Sequence, residues 1–243
     1  MERNTELYRY MSFKRFYQML FQKRIAFVLP EKWDDEYERF WQKSLSSEEG
    51  KKRCKEYIKH YKGDPHKIKT QIESLSEANF KNTYSLCFSR CRDEELLWRA
   101  YSDDKKGIMI TTSCGRIEDL FDSPPHIEEI KYDLNPADMF DWFMKHFMVL
   151  SDGSVVNWDI CEFLKHKRSC FSYEKEVRVM YHHFEPTEEG IIYRDIPSLS
   201  DFICEVLVHP LADDEYVEVI KLLCEHFNIC CAGRSTIYIF QSL

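Results

Sequence analysis

The 243-residue sequence predicts an α+β fold. Short strand candidates gather toward both ends of the chain, and a highly charged stretch over 33–80 carries helical periodicity. Nowhere do strand and helix alternate regularly, as a doubly wound parallel sheet requires. A hydrophobic share of 44% with 15% aromatic residues supplies a sizeable core. With only seven glycines and no Gly/Ser or Pro-rich tract, one domain is expected over 1–243, with 33–80 as a helical insertion within it.

Each element has a local reason. "ELYRYM" (6–11) reads as a short strand. The helix after it is capped by Ser12 and carries Phe13, Phe16, Tyr17 and Leu20 as an apolar stripe. "IAFVLP" is a buried strand stopped by Pro30. The 33–80 stretch divides into two or three helices, with turns near Gly50 and at Gly63-Asp64-Pro65. "YSLCFS" and "GIMITT" read as strands around "DEELLWRAYS", a helix capped by Asp93. "HIEEIKY" is a strand after Pro124-Pro125, and "NPADMFDWFMKHFMVL" is a helix with Pro136 at its first position. "DICEFLKHKR" is helical and leads into "SCFSYEKEVRVMY", read as a strand. "DFICEVLVHP" is a strand, "DDEYVEVIKLLCEHF" a helix, and "ICCA" and "TIYIF" are terminal strands.

The net charge of −8 argues against broad affinity for phosphate backbones, although the basic runs at 51–69 and 165–168 could meet an anion locally. The first of these reads best as a solvated helical pair. The charged N-terminus lacks the apolar core of an export signal, and no segment has the apolar length of a membrane span. A cytoplasmic protein with no membrane partner is the expectation, its ten cysteines reduced and mostly buried. No Cys-x-x-Cys occurs, and neither Cys87/Cys91 nor Cys230-Cys231 matches zinc spacing, so no metal site is expected. His182-His183 reads as solvent-facing polarity at a strand end.

Four clusters stand apart. Tyr8-Arg9 puts a guanidinium on a strand among apolar neighbours, where it needs an anion, structural or bound. The acidic block Asp34-Asp35-Glu36-Tyr37-Glu38 has more carboxylates than a helix start needs. Ser89 ends a strand, and Trp98 and Tyr101 share a face of the helix that follows. Lys165 and Lys167 precede Glu174, Glu176 and Arg178, three charged residues at period two that share one face if the stretch is a strand. Such a face is either the wet side of a sheet or a rigidly held pair of carboxylates. No Gly-rich phosphate loop, Gly-x-Ser-x-Gly or His-Glu-x-x-His is present.

In order, Tyr8-Arg9, the Trp33-to-Glu38 block, Cys87-Phe88-Ser89, Trp98-x-x-Tyr101 with Gly107, and Lys167 leading to Tyr173-Glu174-x-Glu176-x-Arg178 resemble the bacterial domain-of-unknown-function family 2971. That family commonly shows Asn-Asp-Pro-Phe-Glu where this chain has Asp34-Asp35-Glu36-Tyr37-Glu38. More distantly, an arginine on the first strand, a serine on a middle strand and Glu-x-Glu late in the chain are similar to the Arg–Ser–Glu class of ADP-ribosyltransferases, although the usual Ser-x-Ser is absent.

That resemblance implies mixed or antiparallel split β-sheets and NAD as substrate. Arg9 is implied to hold the NAD phosphates, Tyr8 and Arg178 to bind NAD with it, and Ser89 to support the nicotinamide ribose. Trp98 or Tyr101 is implied to stack on nicotinamide, Glu176 to be the catalytic glutamate, and Glu174 to assist the acceptor. It further implies a protein or nucleic-acid acceptor and the setting of a bacterial toxin or phage-defence effector with an antitoxin or immunity partner. Two other readings use the same residues. One is a metal-dependent nuclease built on Asp35, Glu38, Glu174 and Glu176. The other is a non-catalytic binding module with a buried ion network.

Overall fold

Strand β1 (Glu6–Ser12), buried on both faces, divides the interior into two cores. Leu7 and Met11 point into the larger one, with Phe27, Leu86, Phe88, Ile108, Ile110, Val177 and Val179. Tyr8 and Tyr10 point the other way, into a smaller cluster with Leu97, Trp98, Met109 and Leu207. Period-two alternation sends side chains of one strand to opposite faces, so both faces of the sheet are covered here.

The computed structural model describes residues 1–39, 47–59, 64–102, 104–133, 135, 148–149, 155–156, 160–183, 185 and 187–239. After β1 come α1 (Phe13–Gln22), β2 (Arg24–Val28), α2 (Glu48–Ile58), α3 (Pro65–Asn82), β3 (Thr83–Ser89), α4 (Glu95–Tyr101), β4 (Gly107–Ser113), α5 (Cys114–Glu118) and β5 (His126–Glu129). The pair β6 (Met148–Val149) and β7 (Val155–Val156), α6 (Ile160–Leu164), β8 (Glu176–His182), β9 (Ile191–Asp195), α7 (Leu199–Phe202), β10 (Glu205–Val208), α8 (Asp214–His226) and β11 (Cys231–Arg234) complete the order. The fold is mixed α/β around a largely antiparallel open sheet; within it, the pairing of β10 with β11 is parallel.

The main sheet runs β11-β10-β4-β1-β3-β2-β9, with β8 and then β5 branching from β3. Strand β3 therefore has three neighbours. It pairs with β8 along its whole length, with β1 only at Ser89↔Tyr8, and with β2 only at Ser85↔Val28. Between those two contacts the sheet forks.

Local chemistry explains most boundaries. Ser12 Oγ accepts from Arg15 N to start α1, and Lys23 ends it in the left-handed region at φ 47°. Pro65 opens α3 behind the Asp64 cap, whose carboxylate accepts from His66 N at 2.9 Å. Asp213 does the same for α8 through Tyr216 N at 2.7 Å.

Several expected elements differ. Gly50 is not a turn: Ser47 caps α2 upstream and accepts from Gly50 N at 3.0 Å, so the glycine lies inside the helix. Asp93 does not cap α4. It sits at φ 53° and accepts from Trp98 Nε1 at 2.8 Å and Ser235 Oγ at 2.5 Å. "DFICEVLVHP" splits into α7, capped by Ser198, and β10. Thr236–Ile239 form no strand, because Ser235 N closes onto Val208 O and the chain turns. The stretch expected as a strand over 169–181 begins as a 3-10 helix, Ser169–Glu174. The helix expected over 135–150 lies mostly outside the described residues, as does half of "DDEYERFWQKSL", whose described residues include a 3-10 turn over Glu36–Arg39.

Gly107 opens β4 where Ser102 and Trp98 crowd the backbone. A Cβ there would lie 2.3 Å from Ser102 Cβ and 3.5 Å from Trp98 Cε3. Gly107→Ala should therefore destabilise the fold by about 1–3 kcal/mol, with partial recovery in Gly107→Ala/Ser102→Gly, measured as urea midpoints.

Candidate active site

The end of α6 leads directly to the site. Leu164 O accepts from Arg178 Nη1 at 2.7 Å, and the following residues run beside the chain after β5. Lys131 N donates to Lys165 O, and Lys167 N donates to Lys131 O at 2.9 Å. This short parallel bridge fixes the Lys167 backbone and aims its side chain inward.

Lys167 Nζ meets three carboxylates: Glu174 Oε2 at 2.6 Å, Glu176 Oε2 at 2.9 Å and Glu38 Oε1 at 3.5 Å. Arg178 Nε lies 2.5 Å from Glu176 Oε1, Nη2 lies 3.3 Å from Glu176 Oε2, and Nη2 also donates to Glu38 Oε2. The Arg178 guanidinium rests over the Trp33 ring at 4.3 Å. Beside it, Arg168 Nη2 pairs with Asp35 Oδ1 at 3.0 Å and covers the Tyr37 ring. Glu174 is 8% exposed, Glu176 4% and Arg178 1%.

Glu174 and Glu176 do not share a strand face. Lys175 between them is left-handed at φ 39°, and Glu174 belongs to the preceding 3-10 turn. That kink, rather than period-two alternation, lets both carboxylates approach Lys167 from different directions. Glu176 and Arg178 do share a face of β8, alongside Ser89 and Cys87 of β3 in direct register. The Tyr132 hydroxyl accepts from Glu176 N at 2.6 Å and pins the start of β8.

Within the cluster, Glu38, Glu174 and Glu176 face Lys167 and Arg178, three carboxyl groups against two cations. Burial works against the Glu176 charge, but Arg178 and Lys167 outweigh it and hold this carboxyl well below the usual carboxylate range. For Glu174, burial dominates; Lys167 opposes it, the Glu176 charge adds to it, and the pKa is raised. Glu38 is raised in the same way, mainly by burial. The two glutamates are thus separated in character: Glu176 stays ionised, and Glu174 exchanges protons more readily.

The fork opens onto a cavity of ≈ 410 Å³, inside the ~300–1,000 Å³ range of small-molecule sites. Its lining includes Arg15, Gln18 and Gln22 of α1, Arg24 of β2, and Trp33, Tyr101, Glu174 and Glu176. Arg9 sits in the fork itself. Arg90 N donates to Lys175 O on the β8 side, so the alternating backbone turns the Cys87 carbonyl toward the fork, where Arg9 Nη1 donates to it. Arg9 has no carboxylate partner among the described residues, and burial lowers its pKa. Ser85 Oγ, buried on the cavity wall, has no hydrogen-bond partner among the described residues.

The other expected site residues fall into two groups. Tyr8, Ser89 and Tyr101 line this cavity with Arg9, Glu174 and Glu176. The Ser89 hydroxyl, however, donates to Glu174 O at 2.6 Å and accepts from Cys91 N at 2.9 Å, and the Tyr8 hydroxyl donates to Glu6 Oε2 at 2.6 Å. Tyr101 remains 46% exposed at the rim. Trp98 is buried, edge-on to Tyr10 at 4.9 Å with its N–H on Asp93, so it is core and supports no ligand face. Arg178 is spent on Glu176, Glu38 and Leu164 O. Lys167 and Glu38 complete the network: the surplus acid of the 34–38 block finds its partners in Arg178 and Lys167. No protein-family model and no curated protein matches the chain; its chemistry is read from its own residues.

Arg178→Met leaves Glu176 and Glu38 buried with Lys167 as their remaining partner in the cluster. A loss of about 3–5 kcal/mol is expected, read from urea unfolding at neutral pH. The glutamates also give opposite pH signatures. The folded Glu174 pKa lies above its unfolded value near ~4.3, so its contribution is present at low pH and lost as pH rises through the folded pKa. Glu176 is depressed, so its contribution is present above ~4.3 and lost as pH falls toward the folded pKa. Glu174→Gln should shrink the first limb to the share that Glu38, raised in the same way, contributes, and leave the second, measured by chemical denaturation across roughly pH 3–7.

Proposed function

We propose that the chain is an ADP-ribosyltransferase-like enzyme that uses NAD as substrate, the cavity at the fork receiving it. The observation that carries this reading is that one cavity is lined both by Arg9, Arg15 and Arg24 and by Glu174 and Glu176, members of a buried carboxylate cluster one cation short. A ligand with an anionic diphosphate and a cationic head suits such a mixed lining. NAD has that pattern.

In this reading Arg9, with Arg15 or Arg24, binds the diphosphate, and Tyr101 flanks the nicotinamide. The permanently ionised Glu176 stabilises positive charge developing at the ribose carbon. The glycosidic C–N bond breaks and its electron pair leaves on neutral nicotinamide. The acceptor nucleophile bonds to the same carbon and passes its proton to Glu174. Ser89 positions Glu174 through its backbone carbonyl.

Lys167 and Arg178 already fill the space between the carboxylates, which disfavours a divalent-ion nuclease. A second reading keeps support because both Glu176 oxygens are engaged: the network serves as a structural lock in a binding module.

NAD at millimolar concentration should raise the melting midpoint by mass action, and nicotinamide should be released. Arg9→Gln, which can still donate to Cys87 O, should weaken NAD binding by about tenfold to a hundredfold. Glu174→Gln should slow nicotinamide release while keeping the NAD-dependent midpoint shift. No shift and no release with wild type would sink the proposal. Loss of stability in Glu174→Gln with no NAD response in any variant would select the structural lock.

A further inference from the structure

At the opposite end of β8 from Glu176, a second cluster brings together residues distant in sequence. His126 opens β5, Cys161 lies in α6, and His182 closes β8. One ligand atom from each lies within 4.8 Å of the others. Cys161 Sγ and His182 Nε2 are 3.9 Å apart. Zinc bonds of ordinary length at tetrahedral angles separate sulfur and nitrogen by about 3.6 Å, so this edge already has nearly the required span.

Two further observations point the same way. The Thr83 hydroxyl lies 2.9 Å from His182 Nδ1, which leaves Nε2 directed at Cys161. That outer-shell contact is the usual means of fixing the ring of a metal-binding histidine. The burial is graded: Cys161 is 1% exposed, His182 is half-buried and His126 is exposed, so the cluster opens to solvent on the His126 side. His183, the other half of the sequence pair, instead stands edge-on to Tyr84 and takes no part.

We propose that His126, Cys161 and His182 form a binding site for a zinc-class divalent ion, water completing the fourth position. Two imidazoles and a thiolate are a donor set that selects zinc over magnesium or calcium. Binding expels the Cys161 proton to solvent and leaves a thiolate on the metal. The ion clips α6 to β5 and β8, and α6 leads into the segment that delivers Lys167 and Arg168 to the candidate active site. The two places lie about 20 Å apart along β8 at ~3.3 Å per residue, so the metal acts on the site through the position of that segment.

The full chain, stripped of metal by chelation, is titrated with Co²⁺. One equivalent should produce a thiolate-to-cobalt charge-transfer band and the intense visible bands of four-coordinate cobalt, and Zn²⁺ should abolish both by displacement. Cys161→Ser should lose the charge-transfer band. His126→Ala, an exposed substitution that leaves the core untouched, should weaken Co²⁺ binding by at least roughly tenfold, and Cys170→Ser should match wild type. Absence of the band in wild type, its persistence in Cys161→Ser, or wild-type affinity in His126→Ala would overturn the proposal.

Discussion

Five buried side chains, Glu38, Lys167, Glu174, Glu176 and Arg178, join parts of the chain that no backbone ladder connects. Desolvating so many charges is costly, and the cost is offset only where every charge has close partners. Arg178 meets that condition with Glu176, Glu38, a carbonyl and an aromatic face. The network thereby holds the 3-10 turn after β2, the segment after α6 and the start of β8 around one point. The same packing sets the electrostatics of the cavity, since three carboxyls cannot all be neutralised by two cations. Fold and candidate chemistry share one set of charges.

Legibility in the sequence followed range. β1, β2, β3 and β4 were readable because each is a short, largely apolar run whose signal is local, and the Ser12, Asp64 and Asp213 helix starts because capping acts within three residues. Glu174 and Glu176 were readable as a pair of interest, but their geometry was not. A left-handed lysine between them carries no sequence mark, since glycine is the residue that announces such a turn. Glu38 looked like surplus acid because its partner, Arg178, lies 140 residues away. Trp98 and Tyr101 share a helix face, yet one is core and the other rim; only the position of α4 against β1 separates them.

Histidines and cysteines show the same limit from another direction. Spacing rules find metal sites whose ligands come from one loop or hairpin. His126, Cys161 and His182 come from a strand, a helix and another strand, so no spacing could reveal them; the topology that lays β5 and α6 against β8 brings them together.

The fork in the sheet leaves β3 with a carbonyl, that of Cys87, facing a gap between β1 and β2. Arg9 answers it and so stands in for the missing neighbour while keeping its remaining donors directed at the cavity. This side chain therefore serves two masters. Under the proposed function, a lineage that gave up NAD would still be pressed to keep a long donor at this position, and one that altered the sheet there would disturb NAD recognition as well. The persistence of an arginine here in a descendant chain would, on its own, be poor testimony that the activity persisted too.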